Sequence, residues 1–231
     1  MQLVGLARQN LITGLCCSYY DSVPVIAITG QVSTFRMAGK SSGLRQVGLQ
    51  ETPIVEICKP ITKSAVLLED PYNIYHELEK AYWLATSFRQ GPVLIDIPDN
   101  LQREYIDVKK CGHFSPPQSE YLNTFYKSLH DALPELIELV KSSERPILIA
   151  GWGVHLSRTE DFVVAMAEKL NIPIALTWAA SDLIPYTHRL YVGTFGTHGQ
   201  RHANFSVQNA DLILSIGSRL DTKATGSPIN T

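Results

Sequence analysis

Residues 91–98 read Gly91-Pro-Val-Leu-Ile-Asp-Ile-Pro98, an almost unbroken apolar run bounded by glycine and proline. Such a run, without alternation, suits a strand covered on both faces, as in a parallel sheet. Upstream, Val23-Pro-Val-Ile-Ala-Ile-Thr29 is a second such run, closed by Gly30. Before it, Leu11, Leu15 and Tyr19 recur at helical spacing within residues 9–20. Residues 31–50 are polar, contain glycine and lack periodicity, a loop long enough to carry function. Residues 62–69 predict a further strand. Asp70-Pro71 opens a helix whose Ile74, Leu78, Ala81, Tyr82 and Ala85 recur at helical spacing through to Phe88. Residues 9–98 therefore form an α-β-loop-β-α-β series, a parallel-sheet pattern.

Lys109-Lys-Cys-Gly-His-Phe-Ser-Pro-Pro-Gln118 is polar and proline-rich, which marks a linker. A second α/β series follows. It has a helix over Leu129–Ser142, the strand Arg145-Pro-Ile-Leu-Ile-Ala150 and the turn Gly151-Trp-Gly-Val154. A helix over about 158–170 precedes the strand Pro173-Ile-Ala-Leu-Thr177. Then come the loop Gly193-Thr-Phe-Gly-Thr-His-Gly199, a helix near 200–209 and the strand Asp211-Leu-Ile-Leu-Ser-Ile216, with a polar loop after Gly217. The expected fold class is α/β with two doubly wound parallel-sheet units, both incomplete. The expected boundaries are a first unit over 1–106, a linker over 107–127 and a second unit over 128–231.

Composition narrows the function classes. The 231 residues are 45% hydrophobic and 18% charged, ordinary globular values. Twenty Lys and Arg against 22 Asp and Glu give a net charge of −2 without a basic run, so no nucleic-acid partner is expected. No apolar stretch approaches the roughly 18 residues of a membrane span, so no membrane is expected as a partner either. Cys16, Cys17, Cys58 and Cys111 form neither a disulfide framework nor a C-x-x-C pair, and no metal ligands are singled out. With no leader pattern at the N-terminus, the expected location is cytoplasmic.

Several polar and glycine-rich turns stand out, each with a plain structural reading beside the functional one. In Gly151-Trp-Gly153, between a strand and a helix, glycines let backbone N–H groups approach an anion, or simply make a tight turn. Gly193, Gly196 and Gly199, with His198 beside the last, imply ligand approach or close packing. Gly217-Ser-Arg-Leu-Asp221 ends a buried strand, where α/β sheets bind ligands. Arg219 has the planar fork that suits phosphate or a flavin carbonyl, or it pairs with Asp221. Arg89 follows a helix and reads by itself as a C-terminal cation. Gln31 and Gln50-Glu51 lie near strand ends, where turn chemistry is the plain reading. There is no nucleophile elbow, no H-E-x-x-H and no complete Walker A. The residues alone thus lead to two α/β units that bind a nucleotide-like cofactor.

The combination is more specific. Leu11-Ile-Thr-Gly-Leu15, Asp21-Ser-Val-Pro-Val-Ile-Ala-Ile-Thr-Gly-Gln-Val32, Gln50-Glu51, Lys59-Pro-Ile-Thr-Lys63 and Arg89-Gln-Gly-Pro-Val-Leu-Ile-Asp-Ile-Pro98 resemble the thiamine diphosphate (ThDP) enzymes of the acetolactate synthase-like family. So do Ala150-Gly-Trp-Gly153, Gly196-Thr-His-Gly199 and the run from Asn204 to Asp221. The resemblance implies the later part of a pyrimidine-binding domain joined to most of a Rossmann-like central domain. The family's early glutamate and its diphosphate domain, with Gly-Asp-Gly and Asn for Mg2+ and diphosphate, are not in this sequence.

The activity it implies is decarboxylation and carboligation of a 2-keto acid, usually pyruvate, in a homodimer or homotetramer. By the same resemblance Gln50, followed by Gln31, would stand in the catalytic site. Arg89, Gly151, Gly153, Thr177, His198, Gly199, Gly217, Ser218, Arg219 and Asp221 would contact FAD in the flavin-binding members. Leu49 stands where the family has an aromatic residue, and Asp99 where it has lysine. Both point to a sister branch with another acceptor, or to another ThDP decarboxylase or carboligase. The chain alone is expected to be inactive. The alternatives are a flavin- or nucleotide-binding module and a non-catalytic remnant.

Overall fold

The structure is a computed structural model that describes residues 3–4, 9–38, 43–117 and 120–226, without the side chains of 3–4 and 120–125. Parts of the stretches discussed above (5–8, 39–42, 118–119 and 227–231) lie outside the described residues. The chain forms two compact units, Met1–Gln118 and Ser119–Thr231.

The first unit contains β1 (Leu3–Val4), α1 (Leu11–Tyr20), β2 (Val25–Gln31), α2 (Ile54–Cys58), β3 (Ser64–Leu67), α3 (Ile74–Thr86) and β4 (Pro92–Pro98). They give a parallel sheet in the order β1-β2-β4-β3. The run that decides the fold is the interior strand β4, buried on both faces because successive side chains alternate. Leu94 joins Ala27 in packing against Leu15 of α1 and Ile54 and Cys58 of α2. Val93 and Ile95 pack on the opposite side against Ala81 and Ala85 of α3. Asp70 accepts from the Tyr72 N–H at 2.9 Å and caps a 3-10 turn, so the α-helix begins at Ile74 rather than Pro71. Lys63 closes the other end of α3 by donating to the Leu84 carbonyl and, at 2.8 Å, to that of Ser87. Helix α2 has no counterpart in the sequence reading, because five residues are too few to show a helical period.

The stretch expected as a linker is divided. His113 and the Phe114 N–H meet the Glu79 carboxylate at 2.9 and 2.8 Å, strapping residues 113–114 to α3. The hydrogen bond from His113 and that from Phe114 hold the Glu79 carboxyl below its usual range. The two units separate at Gln118/Ser119, and helix α4 (Glu120–Ser142) starts before the expected Leu129.

The second unit continues with β5 (Pro146–Ala150), α5 (Gly153–Ser157), α6 (Glu160–Leu170), β6 (Ile174–Leu176), β7 (Tyr191–Thr194), α7 (Arg201–Gln208), β8 (Leu212–Ile216) and α8 (Thr222–Thr225). Its sheet is parallel, in the order β7-β6-β5-β8. Leu148, Ala150, Ile174 and Leu176 pack with Val163 and Ala167 of α6. Ile147, Ile149 and Ala175 pack with Ala203 of α7, so the sheet is covered on both sides as a doubly wound unit requires. The helix expected over about 158–170 is α6, and a separate short helix, α5, precedes it, the two parted where Arg158 turns left-handed at φ +55°. Strand β7 was hidden by Gly193, which has φ +116° and sits at the register shift with β6.

At the amino end of β5, Asp211 accepts from the Ser143 hydroxyl and, at 2.8 Å each, from the N–H groups of Glu144 and Arg145. The Ser143 bond leads the influences that lower its carboxyl to about 2. A depressed folded pKa stabilises above the ordinary aspartate value, and that contribution fades as pH falls toward about 2. Asp211→Asn is therefore expected to lower the unfolding midpoint at neutral pH and to converge with the wild type near pH 2, as thermal melts across pH will show. In the core, Leu148→Ala is expected to cost about 2–5 kcal/mol in denaturant unfolding, since Leu148 is fully enclosed.

Candidate functional site

In the second unit the chain runs from β5 outward through β6 to β7, then returns by α7 to β8 on the other side of β5. The order reverses between β5 and β8, and ligands of open α/β sheets lie at the carboxyl side of such a point. There the turn after β5 and the turn after β8 touch backbone to backbone. Gly151 N–H donates to the Ile216 carbonyl at 2.9 Å, and Gly153 N–H to that of Gly217 at 2.8 Å. A Cβ on Gly151 would lie 2.6 Å from the Gly217 oxygen, and one on Gly153 would lie 2.7 Å from Gly217 Cα. Gly217 itself has φ +64°. These three glycines are thus required by contact between the turns.

The remaining turns join them. The Thr177 N–H donates to the Ala150 carbonyl at 3.0 Å, placing β6's end beside the Gly151 turn. After β7, Gly199 N–H closes onto Gly196, and Thr197 donates its N–H to the Lys223 carbonyl at 2.8 Å. The segment after β8 therefore reaches across to the turn after β7, although these are the two edge strands. His198 stacks on Trp178, with ring centroids 5.3 Å apart and planes 33° apart, and Trp178 remains 68% exposed. Ser218 Oγ accepts from the Leu220 N–H at 3.1 Å. Arg219 Nε donates to Asp221 at 2.9 Å, while the other Asp221 oxygen caps α8 through Lys223 at 3.0 Å. The Arg219 bond, followed by the α8 amides against an opposing effect of burial, holds the Asp221 carboxyl below its usual range.

Gly151, Gly153, Thr177, His198, Gly199, Gly217, Ser218, Arg219 and Asp221 therefore gather at one end of one sheet. Two hydroxyls, an imidazole and a guanidinium beside close-packed backbone make a donor set that fits an anionic nucleotide. Trp178 completes the set, and the sequence reading missed it because a lone tryptophan after a strand carries no motif. Arg89 belongs to the first unit, where its Nε donates to the Ser22 hydroxyl at 3.0 Å.

The first unit holds the two glutamines. Gln31 is buried, and its Nε2 donates to the Thr52 carbonyl at 2.9 Å and to Asp96 at 2.8 Å. Its Oε1 accepts from the Val32 N–H at 3.0 Å, and the Thr29 hydroxyl donates to Asp96 at 2.7 Å. Gln31 is thereby an internal tie, with its amide committed to protein groups. Gln50 is exposed in left-handed backbone, φ +64°, beside Leu49, which is 86% exposed. The Glu51 carboxylate clips the loop behind them, accepting from the N–H groups of Ala38, Val47 and Gly48 at 2.6, 2.9 and 3.1 Å. Asp99 pairs with Arg103 at 2.8 Å. The structural weight of Asp96 was legible only as the single carboxylate inside an apolar strand.

Among the described residues, no group of three or more His, Cys, Asp or Glu is placed to hold a metal ion, and no helix is long and apolar enough to cross a membrane. Residues 133–231 match the family "thiamine pyrophosphate enzyme, central domain". The chain is 35% identical to the chloroplastic acetolactate synthase of Arabidopsis thaliana, over 96% of this chain and 32% of that protein. It is 33% identical to the acetolactate synthase large subunit of Lactococcus lactis subsp. lactis, over 97% of this chain and 37% of that subunit. The same subunit from Buchnera aphidicola subsp. Acyrthosiphon pisum is 30% identical, over 96% and 38%. The chain spans about a third of the length of these curated relatives.

The contact between turns predicts opposite outcomes for two glycine-to-alanine changes. Gly153→Ala is expected to cost about 1–3 kcal/mol, because the added Cβ meets rigid backbone. Gly14→Ala, inside α1 with open space around it, is expected to stabilise by about 0.5–1 kcal/mol. Urea unfolding of both variants checks the pair.

Proposed function

The chain belongs to the acetolactate synthase-like family of ThDP-dependent enzymes, and from that premise we propose that it supplies the glutamine loop and the nucleotide-binding central unit of a 2-keto acid carboligase. When bound, ThDP supplies the electron sink that lets a 2-keto acid such as pyruvate lose CO2 and attack a carbonyl acceptor. Gln50, held out by the Glu51 clip, is the residue of this chain that meets the substrate or cofactor. Gln31 acts one step behind, anchoring the loop through Asp96 and Thr52. Leu49 in the loop and Asp99 after β4 stand where the family has an aromatic residue and lysine, which favours a different acceptor.

The central unit is assigned to FAD. The observation that carries this reading is the convergence of Thr177, His198, Ser218 and Arg219 at the carboxyl end of one sheet, over the paired glycine turns. The hydroxyls would take phosphate oxygens, and the Arg219 fork would take a phosphate or ring carbonyl. Mg2+ accompanies the diphosphate of ThDP, and no residue named here is assigned to it. Two or four copies of the intact enzyme would assemble around the ThDP sites. This chain alone turns nothing over.

The test combines flavin binding with turnover on the purified chain. FAD is expected to bind, to bind less tightly to Arg219→Ala, and to do so whether or not ThDP and Mg2+ are added. CO2 release from pyruvate is expected to be absent under all these conditions. Pyruvate turnover by the chain alone would overturn its assignment as a part. Binding of neither FAD nor ADP would overturn the cofactor assignment. Binding of ADP as tightly as FAD would favour the second reading, a general nucleotide-binding module.

A further inference from the structure

The imidazole of His155, in α5, is held between two carboxylates from other elements. Its Nδ1 lies 2.9 Å from Glu160 Oε1, in the first turn of α6. Its Nε2 lies 3.1 Å from Asp182 Oδ1, in the segment between β6 and β7. The indole of Trp152, from the Gly151–Gly153 turn, rests against the same ring with centroids 5.3 Å apart. The His155 side chain is 18% exposed, Glu160 35% and Asp182 80%. One ring thus ties together the turn after β5, α6 and the segment that carries Thr177 and Trp178.

Ionised carboxylates only accept hydrogen bonds, and a neutral imidazole has one N–H where an imidazolium has two. Both contacts are hydrogen bonds only when the ring is protonated. A neutral ring aims a lone pair at one of the two anions. Arg158, at the end of α5, is the further charged group of the set and acts on Glu160. Burial is the largest influence on His155 and opposes its charge, but the bonds and charges of Glu160 and Asp182 outweigh it and raise its pKa. A raised folded pKa means that the clamp is complete below the ordinary histidine value and is lost as pH rises through the raised one. Asp182, far more open to water than Glu160, is the partner that leaves.

We propose that His155 is a proton-dependent positioning residue of the crevice: its imidazolium holds the Thr177–Asp182 segment and Trp152 in their ligand-facing places, and its deprotonation frees the segment. Buried Ala180 and Leu183 flank Asp182, so the release is local to this turn. The effect on a ligand rests on the reading of the crevice as an FAD seat, whereas the clamp stands on its own geometry.

The experiment follows three signals on the whole chain across the titration of His155: its ring resonances by NMR, hydrogen-exchange protection of residues 178–183, and FAD affinity by equilibrium dialysis. As His155 deprotonates, protection is expected to fall and FAD affinity to weaken about threefold to tenfold, the loss of one hydrogen bond. Asp182→Asn separates a proton effect from a merely structural one. An asparagine N–H can donate to a neutral Nε2 while Nδ1–H keeps Glu160, so this variant is expected to lower the His155 midpoint and to flatten both profiles. Unchanged protection of 178–183 across the wild-type titration overturns the clamp. A profile in Asp182→Asn that stays as steep as the wild type's overturns it equally. A change in protection with flat FAD affinity overturns the positioning role while leaving the FAD seat intact. Absence of FAD binding at every pH overturns the seat instead, and the exchange profiles of the two proteins then decide the clamp.

Discussion

Two backbones meet at the carboxyl end of the second sheet with no side chain between them. The turn after β5 and the turn after β8 lie within hydrogen-bonding reach only because Gly151, Gly153 and Gly217 have no Cβ. That contact brings the ends of the neighbouring strands β5 and β8 together at the point where strand order reverses. Thr177 is tied to the same turn through the Ala150 carbonyl, and the segment after β8 crosses to the turn after β7 through Lys223. Ser218, Arg219 and His198 take their places because the backbone beneath them has one way to lie. Inserting a methyl group at any of the three glycines would push on main chain rather than on a movable side chain.

The first unit reaches a similar end with different chemistry. Its carboxyl edge is organised by a buried carboxylate, Asp96, which accepts from Thr29 and Gln31 on the neighbouring strand. Gln31 passes the tie to Thr52, directly after the loop that displays Gln50. A buried polar group is costly unless hydrogen-bonded, so the network is an all-or-none arrangement that fixes where the loop returns. The Glu51 carboxylate does the same for the loop's interior with three backbone N–H groups. In both units, side chains committed to the scaffold fix the course of the turns that carry the proposed site residues.

Much of this was legible in the sequence. Continuous apolar runs such as 93–95 and 147–150 can only be covered on both faces, and they read at once as parallel strands between helices. The glycine clusters and Arg219 stood out because they follow strands, where α/β sheets bind ligands. What stayed hidden depends on partners distant in sequence. Strand β7 is interrupted by Gly193 and stands only through its pairing with β6. Helix α2 exists because Ile54 and Cys58 fall under α1 and β4. The burial of Gln31 follows from Asp96, 65 positions away, and could not be read from a Gly-Gln-Val turn. Trp178 and His155 were missed for the same reason, since a single aromatic ring or imidazole gains meaning only from what the fold sets against it.

A crystal structure of this chain grown with FAD tests the account most directly. The account predicts flavin density along the turns Gly151–Val154, Thr177–Trp178, Gly196–Gly199 and Gly217–Asp221, with phosphate oxygens facing Ser218 or Arg219 and the glycine contact unchanged. Density elsewhere on the chain, or turns that part at Gly153 and Gly217 to admit the ligand, would contradict it.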